Sequence, residues 1–317
     1  MKVMARIFPW IGCFLCMTTG LARAKQPAGS GGANRPGQPV TFTFTNIDPP
    51  GSLATEAWAI NNEGVVVGSY VDSSKTVLGY KRLSNGSFNA PITVAGENVY
   101  LDGLNDHGVM TGYSSVGVGQ DYPPPNPITT FTLSHGVYTD FTIGPDTQIN
   151  AINNNGDFTG VFEEDSSEYP GFLHLASTNS TEVFSVAGAG FTFAYGLNRK
   201  DVVVGLYKAT ATSAAFRAFI RNEAGTIRTF GFPGASSSGA SSINDCDTIV
   251  GAFTDTAGSY HGFYGKVGNF TQMDYPGAIW TILTGMNDHG EIVGQYVDTS
   301  DVLHGFIATP PVPSCSP

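Results

Sequence analysis

Short runs of alternating apolar and polar residues recur along this chain, and long runs with helical periodicity are missing. Val40-Thr41-Phe42-Thr43-Phe44-Thr45 alternates with period two and reads as a strand. After it a ten-residue pattern appears six times, at 59–68, 103–112, 151–160, 196–205, 242–251 and 285–294. Each copy runs from a small residue through an aliphatic one to an Asn, and seven residues later reaches a Gly. The Asn residues are 61, 105, 153, 198, 244 and 287, and the Gly residues 68, 112, 160, 205, 251 and 294. The pair before each Asn ends one strand. The segment after the Asn turns the chain, with Gly expected at the left-handed position, and a second strand such as 65–70 follows. A polar loop leads to a third strand, seen as 78–81, 170–173, 217–220, 261–264 and 304–307, with 130–133 as the divergent copy. A fourth passes through segments such as 269–277.

Four strands in about 45 residues, repeated, predict the blades of a β-propeller. Large and small side chains alternate as blade stacking requires. Ile60, Leu104, Ile152, Leu197, Ile243 and Met286 precede the Asn, and Ala59, Gly103, Ala151, Gly196, Ser242 and Gly285 precede them on the opposite strand face. The last copy ends with its third strand, and an extra fourth-type strand at 40–47 precedes the first copy. The expectation is therefore an all-β, six-bladed propeller over 40–308, closed by the N-terminal strand completing the last blade. A seven-bladed ring or a β-solenoid is the alternative.

The Asn-Asp-x-Gly-x-x-Val-Gly and His-Gly-Phe elements, in register and clearest around Asn287 and His304, resemble the HAF-type extracellular repeat of bacterial secreted proteins. The resemblance covers about residues 40–308. It implies a secreted repeat protein of propeller-like architecture and carries over no catalytic residue.

The N-terminus reads separately. Lys2 and Arg6 precede an apolar stretch ending in Leu21-Ala22-Arg23-Ala24, the pattern of a secretory signal peptide over 1–24. Residues 25–39 read as a flexible segment and 309–317 as a Pro-rich tail. The net charge of −11 would become 12 − 26 = −14 without the leader, which holds three basic residues and no acidic ones. No cluster of Lys and Arg appears, which argues against nucleic acid as a partner. No mature segment is apolar enough to span a membrane. The expectation is a secreted or periplasmic monomer. The two cysteines outside the leader, Cys246 and Cys315, are expected to form a disulfide that clips the tail to the body.

Candidate chemistry is sparse. No nucleophile elbow, zinc-protease motif or phosphate loop is present. His107 and His289 sit in turns without neighbouring ligands, and His261 and His304 begin third strands, where they could orient a loop. His135 and His174 have no evident partners. No catalytic residue, metal site or cofactor is expected. Three residues before each Asn, however, the copies diverge: Trp58, Asp102, Asn150, Tyr195, Ser241 and Thr284. On an innermost strand these would form a ring towards one mouth of the channel, with Glu56, Tyr100 and Gln148 two residues further out. Residues 114–129 form the longest loop insertion, holding Tyr122, on the same end. Aromatic faces beside polar groups suit a sugar. The ligand-binding candidates are thus Trp58, Asp102, Asn150, Tyr195, Glu56, Tyr100 and Tyr122. The expected function is a secreted, non-catalytic binding module for carbohydrate or a cell-surface protein. The alternative is a propeller enzyme acting on polysaccharides or lactones, with a divalent cation held by Glu56, Asp102 and Asn150.

Overall fold

The computed structural model describes residues 41–116, 128–164, 168–208, 215–312 and 315. The expected leader, the 25–39 segment and Tyr122 lie outside these residues. The described strands fall into six antiparallel sheets, each meandering outward from an innermost strand. The innermost strands are Ala54–Ile60, Glu97–Leu104, Gln148–Ile152, Phe191–Leu197, Ser237–Ile243 and Trp280–Met286. We number the blades 1 to 6 in that order. Neighbouring inner strands touch around the whole circle, blade 6 meeting blade 1.

The ring closes through strand Thr43–Ile47, which pairs antiparallel with Leu303–Thr309 and forms the outer edge of blade 6. Ile47 is fully buried there. Phe44 packs edge-on to Tyr275, with ring centroids 5.3 Å apart. Blade 1 departs from the four-strand expectation. It has three regular strands, and its outer position is held by residues 88–92 through isolated bridges Arg82↔Phe88 and Gly79↔Ile92. Pro91 in this segment has no N–H to give a ladder, which limits the pairing to short contacts.

Two features of the repeat explain how the blades hold together. The first is the Gly of the second strand. In every blade it pairs with an aromatic residue of the third: Tyr80, Phe131, Phe172, Phe219, Phe263 and Phe306. These rings are 0–1% exposed and lie over the space that a glycine leaves. Burial of each stabilises the fold by roughly 1.5–3 kcal/mol.

The second is the Asn. Asn61 Oδ1 accepts the N–H groups of Glu63 and Val65, which fixes its own turn. Its Nδ2 donates to the carbonyl of Asn105 in the next blade, at 3.3 Å. The same bond runs from Asn105 to Asn153, Asn153 to Asn198, Asn198 to Asn244, Asn244 to Asn287, and Asn287 back to Asn61, at 3.0–3.3 Å. Six side chains therefore close a circular relay. The left-handed residue of these turns is Gly in four blades, but Asp201 and Asp247 take the position in blades 4 and 5, as Asp can. Asn61→Ala removes three hydrogen bonds at a buried site, and we expect a loss of about 2–4 kcal/mol. Urea unfolding of that variant within experimental error of wild type would count against the relay as a structural element.

Cys246, in the blade 5 turn, and Cys315 form a disulfide with Cα atoms 6.1 Å apart. The bond ties the segment leaving blade 6 to the neighbouring blade, at the end of the ring that carries the Asn turns.

Candidate functional site

The inner strands do not pair evenly with their neighbours. In every blade the register skips one inner-strand residue, between 57 and 59, 101 and 103, 149 and 151, 194 and 196, 240 and 242, and 283 and 285. The skipped residues are Trp58, Asp102, Asn150, Tyr195, Ser241 and Thr284. Each is a β-bulge, which re-aims a side chain without breaking the strand. The divergent position in the sequence is therefore a ring of bulges at one level of the central channel. In this order Trp58 stands across from Tyr195, Asp102 from Ser241, and Asn150 from Thr284.

The bulge also explains the repeated Gly. A Cβ on Gly68, Gly112, Gly160, Gly205, Gly251 or Gly294 would lie only 1.8–2.4 Å from an inner-strand carbonyl oxygen beside the bulge. No side chain can occupy that space.

The ring is chemically uneven. Asn150 Nδ2 donates to Ala194 O at 2.8 Å, and Thr284 Oγ1 to Ala57 O at 2.7 Å, so these two brace neighbouring blades. Trp58 Nε1 donates to Glu56 Oε2 at 3.1 Å. Trp58 and Tyr195 both pack against an apolar cluster holding Phe193, Leu206 and Ile282. Tyr100 stacks on Tyr113, with centroids 4.7 Å apart and planes 15° from parallel. Asp102 Oδ2 and Ser241 Oγ are buried without a hydrogen-bond partner. Burial pushes the Asp102 carboxyl up to about 8. Burial does the same to Glu56, also to about 8, with the Trp58 indole pulling the other way and Asp102 adding to the rise. Both acids are thus largely protonated at neutral pH, because the wall around them disfavours charge.

The structure thus brings Glu56, Trp58, Tyr100, Asp102, Asn150 and Tyr195 onto channel-lining strands, and Gln148 with them, 8% exposed. His107 and His289 are exposed in the turns at the opposite end. His135 is exposed and touches Ser134, while His174 is buried, stacks on Phe158 and meets Thr181. Among the described residues no group of three or more His, Cys, Asp or Glu is placed to hold a metal ion.

His261 and His304 make matching clamps whose acids the sequence reading missed. Nδ1 of His261 lies 2.8 Å from Asp274 and its Nε2 3.5 Å from Asp255. His304 lies 2.9 Å from Asp48 and 3.5 Å from Asp298 in the same way. Each ties the loop between second and third strands to the outer edge of its blade. The bond to Asp274 raises the His261 pKa above the usual 6.5, burial opposes it, and Asp255 adds to the rise. A raised folded pKa means the stabilisation is complete below about 6.5 and fades as pH climbs through the higher value. Thermal melts should show His261→Gln losing most stability at pH 5.5 and least at pH 8.5. An equal loss at both values would rule out a charged clamp.

A second polar ring lies at the Asn-turn end. Asn62 N donates to Asp106, Asp106 N to Asn154, Arg199 N to Asp245, Asp245 N to Asp288, and Asp288 N to Asn62, each at 2.8 Å. It is interrupted after Asn154, where Arg199 offers no acceptor side chain. These groups satisfy one another and surround a shallow depression floored by Ile60, Leu104, Ile152, Leu197, Ile243 and Met286.

No family model matches the sequence, and no curated protein does. Solved structures resemble it in fold. TolB from Acinetobacter baumannii matches with a TM-score of 0.50 at 10% identity, covering 82% of this chain and 65% of its own. The chain thus spans about two thirds of TolB's length. The lectin of Aleuria aurantia, in complex with Fucα1-6GlcNAc, matches at 0.50 and 11% identity over 85% of this chain and 99% of its own. A subtype N10 neuraminidase-like protein of a little yellow-shouldered bat isolate matches at 0.52 and 10% identity over 85% and 98%. The chain is a β-propeller. At such low identity the likeness concerns the architecture alone. No helix among the described residues is long and apolar enough to cross a membrane.

Proposed function

We propose that this propeller is a non-catalytic binding module of the extracytoplasmic space that recognises a glycan at the bulge ring. The carrying observation is the contrast within one repeat. The Asn relay and the Gly–aromatic pairs are the same in all six blades, whereas the bulge level holds a Trp, a Tyr, an Asp, an Asn, a Ser and a Thr. Uniform positions serve packing. Different groups at fixed points around one axis are what recognition of an asymmetric ligand needs. Aromatic faces on opposite blades suit the apolar face of a sugar ring, and the polar positions between them suit its hydroxyls. A disulfide in a small-residue-rich β-protein accords with an oxidising compartment, as does the resemblance to HAF-type repeats.

The test begins with a glycan array. For a glycan that binds, Trp58→Ala and Tyr195→Ala should each weaken affinity by about 1–3 kcal/mol in a calorimetric titration, with the fold retained. Unchanged affinity in both, with binding lost on changing His107 or His289, would move the site to the other end of the propeller.

A further inference from the structure

Two carboxyl groups stand on adjacent channel-lining strands, with no cationic side chain of the described residues acting on them. Glu56 is 8% exposed, and its side chain accepts one hydrogen bond, from the Trp58 indole. Asp102, on the adjacent blade, keeps Oδ2 buried and without a partner. The charged and titratable groups coupled to this pair are each other, Tyr80, Tyr100 and Tyr195. No Lys, Arg or His among the described residues acts on either carboxyl. Across the ring, Ser241 is 6% exposed and its Oγ also lacks a partner. A native fold rarely leaves buried polar atoms unsatisfied, so these two orphaned oxygens, Asp102 Oδ2 and Ser241 Oγ on one level of the channel, indicate a group that the described residues do not supply.

We infer that this band of the channel takes an ammonium group carried on a sugar, so that the ligand class is an oligosaccharide containing free amino sugars. The inference rests on the glycan-binding reading above and narrows it. An ammonium brings three donors and a positive charge to a site that has acceptors and no counter-charge. Ser241, opposite Asp102, is positioned for a ring hydroxyl. A divalent metal suits the band less well. Calcium takes six to eight oxygens, and here two carboxyls are available.

The acid–base balance follows from the burial. At neutral pH the carboxyls are mostly COOH. When the ammonium arrives, the carboxylate form is favoured, the carboxyl proton passes to solvent, and the ammonium keeps its own protons. Binding at pH 6, where the amine of the sugar is still largely protonated, therefore releases about one proton per ligand. Affinity rises from pH 5 towards neutrality and falls again above it, where the amine of the sugar loses its own proton.

The experiment is isothermal titration calorimetry of the full chain at pH 6 in two buffers of different ionisation enthalpy. The probes are a glucosamine hexamer and its fully N-acetylated counterpart, which lacks the charge. We expect the glucosamine oligomer to bind at least about tenfold more tightly, with proton release. Asp102→Asn, which keeps the shape and loses the charge, should abolish both the preference and the proton release while melting near the wild-type temperature. Ser241→Ala should weaken both oligomers alike. Equal affinity for the two oligomers would overturn the ammonium inference and leave a glycan module standing. A preference without proton release, or one that Asp102→Asn leaves intact, would overturn it too. So would binding of neither oligomer, whatever other glycan the array returns. Calcium that binds stoichiometrically and is lost in Asp102→Asn would give the band to a metal instead.

Discussion

A chain lacking residues 41–47 should fail to give a stable monomer. The deletion removes the outer strand of blade 6 and exposes the whole edge of Leu303–Thr309, a ready template for another strand. It also takes away Ile47, which is fully buried, and Phe44, which packs on Phe306 and Tyr275. Asn46, whose Oδ1 accepts the hydroxyls of Tyr275 and Tyr296, goes with them. Burial of Ile47 alone is worth roughly 1.5–3 kcal/mol and the half-buried Phe44 adds to it, a large part of the net stability of most domains. Size-exclusion chromatography should show aggregates, and any monomer should melt far below the full chain. A truncated protein with the wild-type melting temperature would mean that the ring is closed some other way.

Gly205→Ala should be nearly as damaging although it adds a single methyl group. Its Cβ would sit 1.9 Å from the carbonyl oxygen of Phe193 and 2.8 Å from the ring of Phe219. The first neighbour is backbone and the second a fully buried side chain, so neither can give way. Relief would require undoing the bulge at Tyr195 or expelling the ring, and we expect a cost of about 4 kcal/mol or more. Gly277→Ala is the matched control. It has a positive φ of 81° but open space around the added atom, so its cost should be nearer 1–2 kcal/mol. Equal melting temperatures for the two variants would show that the close approach does not constrain the blade.

The ring of blades and its closure could be read from the chain because the information repeats. Each strand is local, and six copies in register make even a weak alternation clear. The level of the channel that varies was also legible, three residues before each Asn. Its cause was not. A bulge is a property of how two strands pair, and nothing in the inner strand's own composition marks it. Gly68 and its equivalents were the available signal, since a Gly at a fixed point in a second strand implies that something comes close. The Asn was legible as a turn residue only, because its reach to the next blade depends on the angle between blades. Glu56 and Asp102 were visible as two acids near one mouth, but the lack of a counter-charge among the described residues depends on which side chains the ring gathers around them. The outer strand of blade 1 falls short because Pro91 interrupts a segment that otherwise occupies the right place.

The bulges have a consequence for how such a protein can change over generations. A residue in a regular ladder is tied to its cross-strand neighbour and to the sheet packed above it, so altering it usually needs compensation elsewhere. The six bulge positions stand outside the ladder, although Asn150 and Thr284 also brace a neighbouring blade, and they sit on a backbone that the Gly, the aromatic ring and the Asn already fix. A single codon substitution there can exchange an indole for a hydroxyl while the cylinder around it keeps its shape. Six such positions around one axis allow very many combinations, each reachable in small steps through folded intermediates. Lineages sharing this scaffold would then be expected to keep the Asn and Gly columns nearly fixed and to diverge fastest in the column that lines the channel.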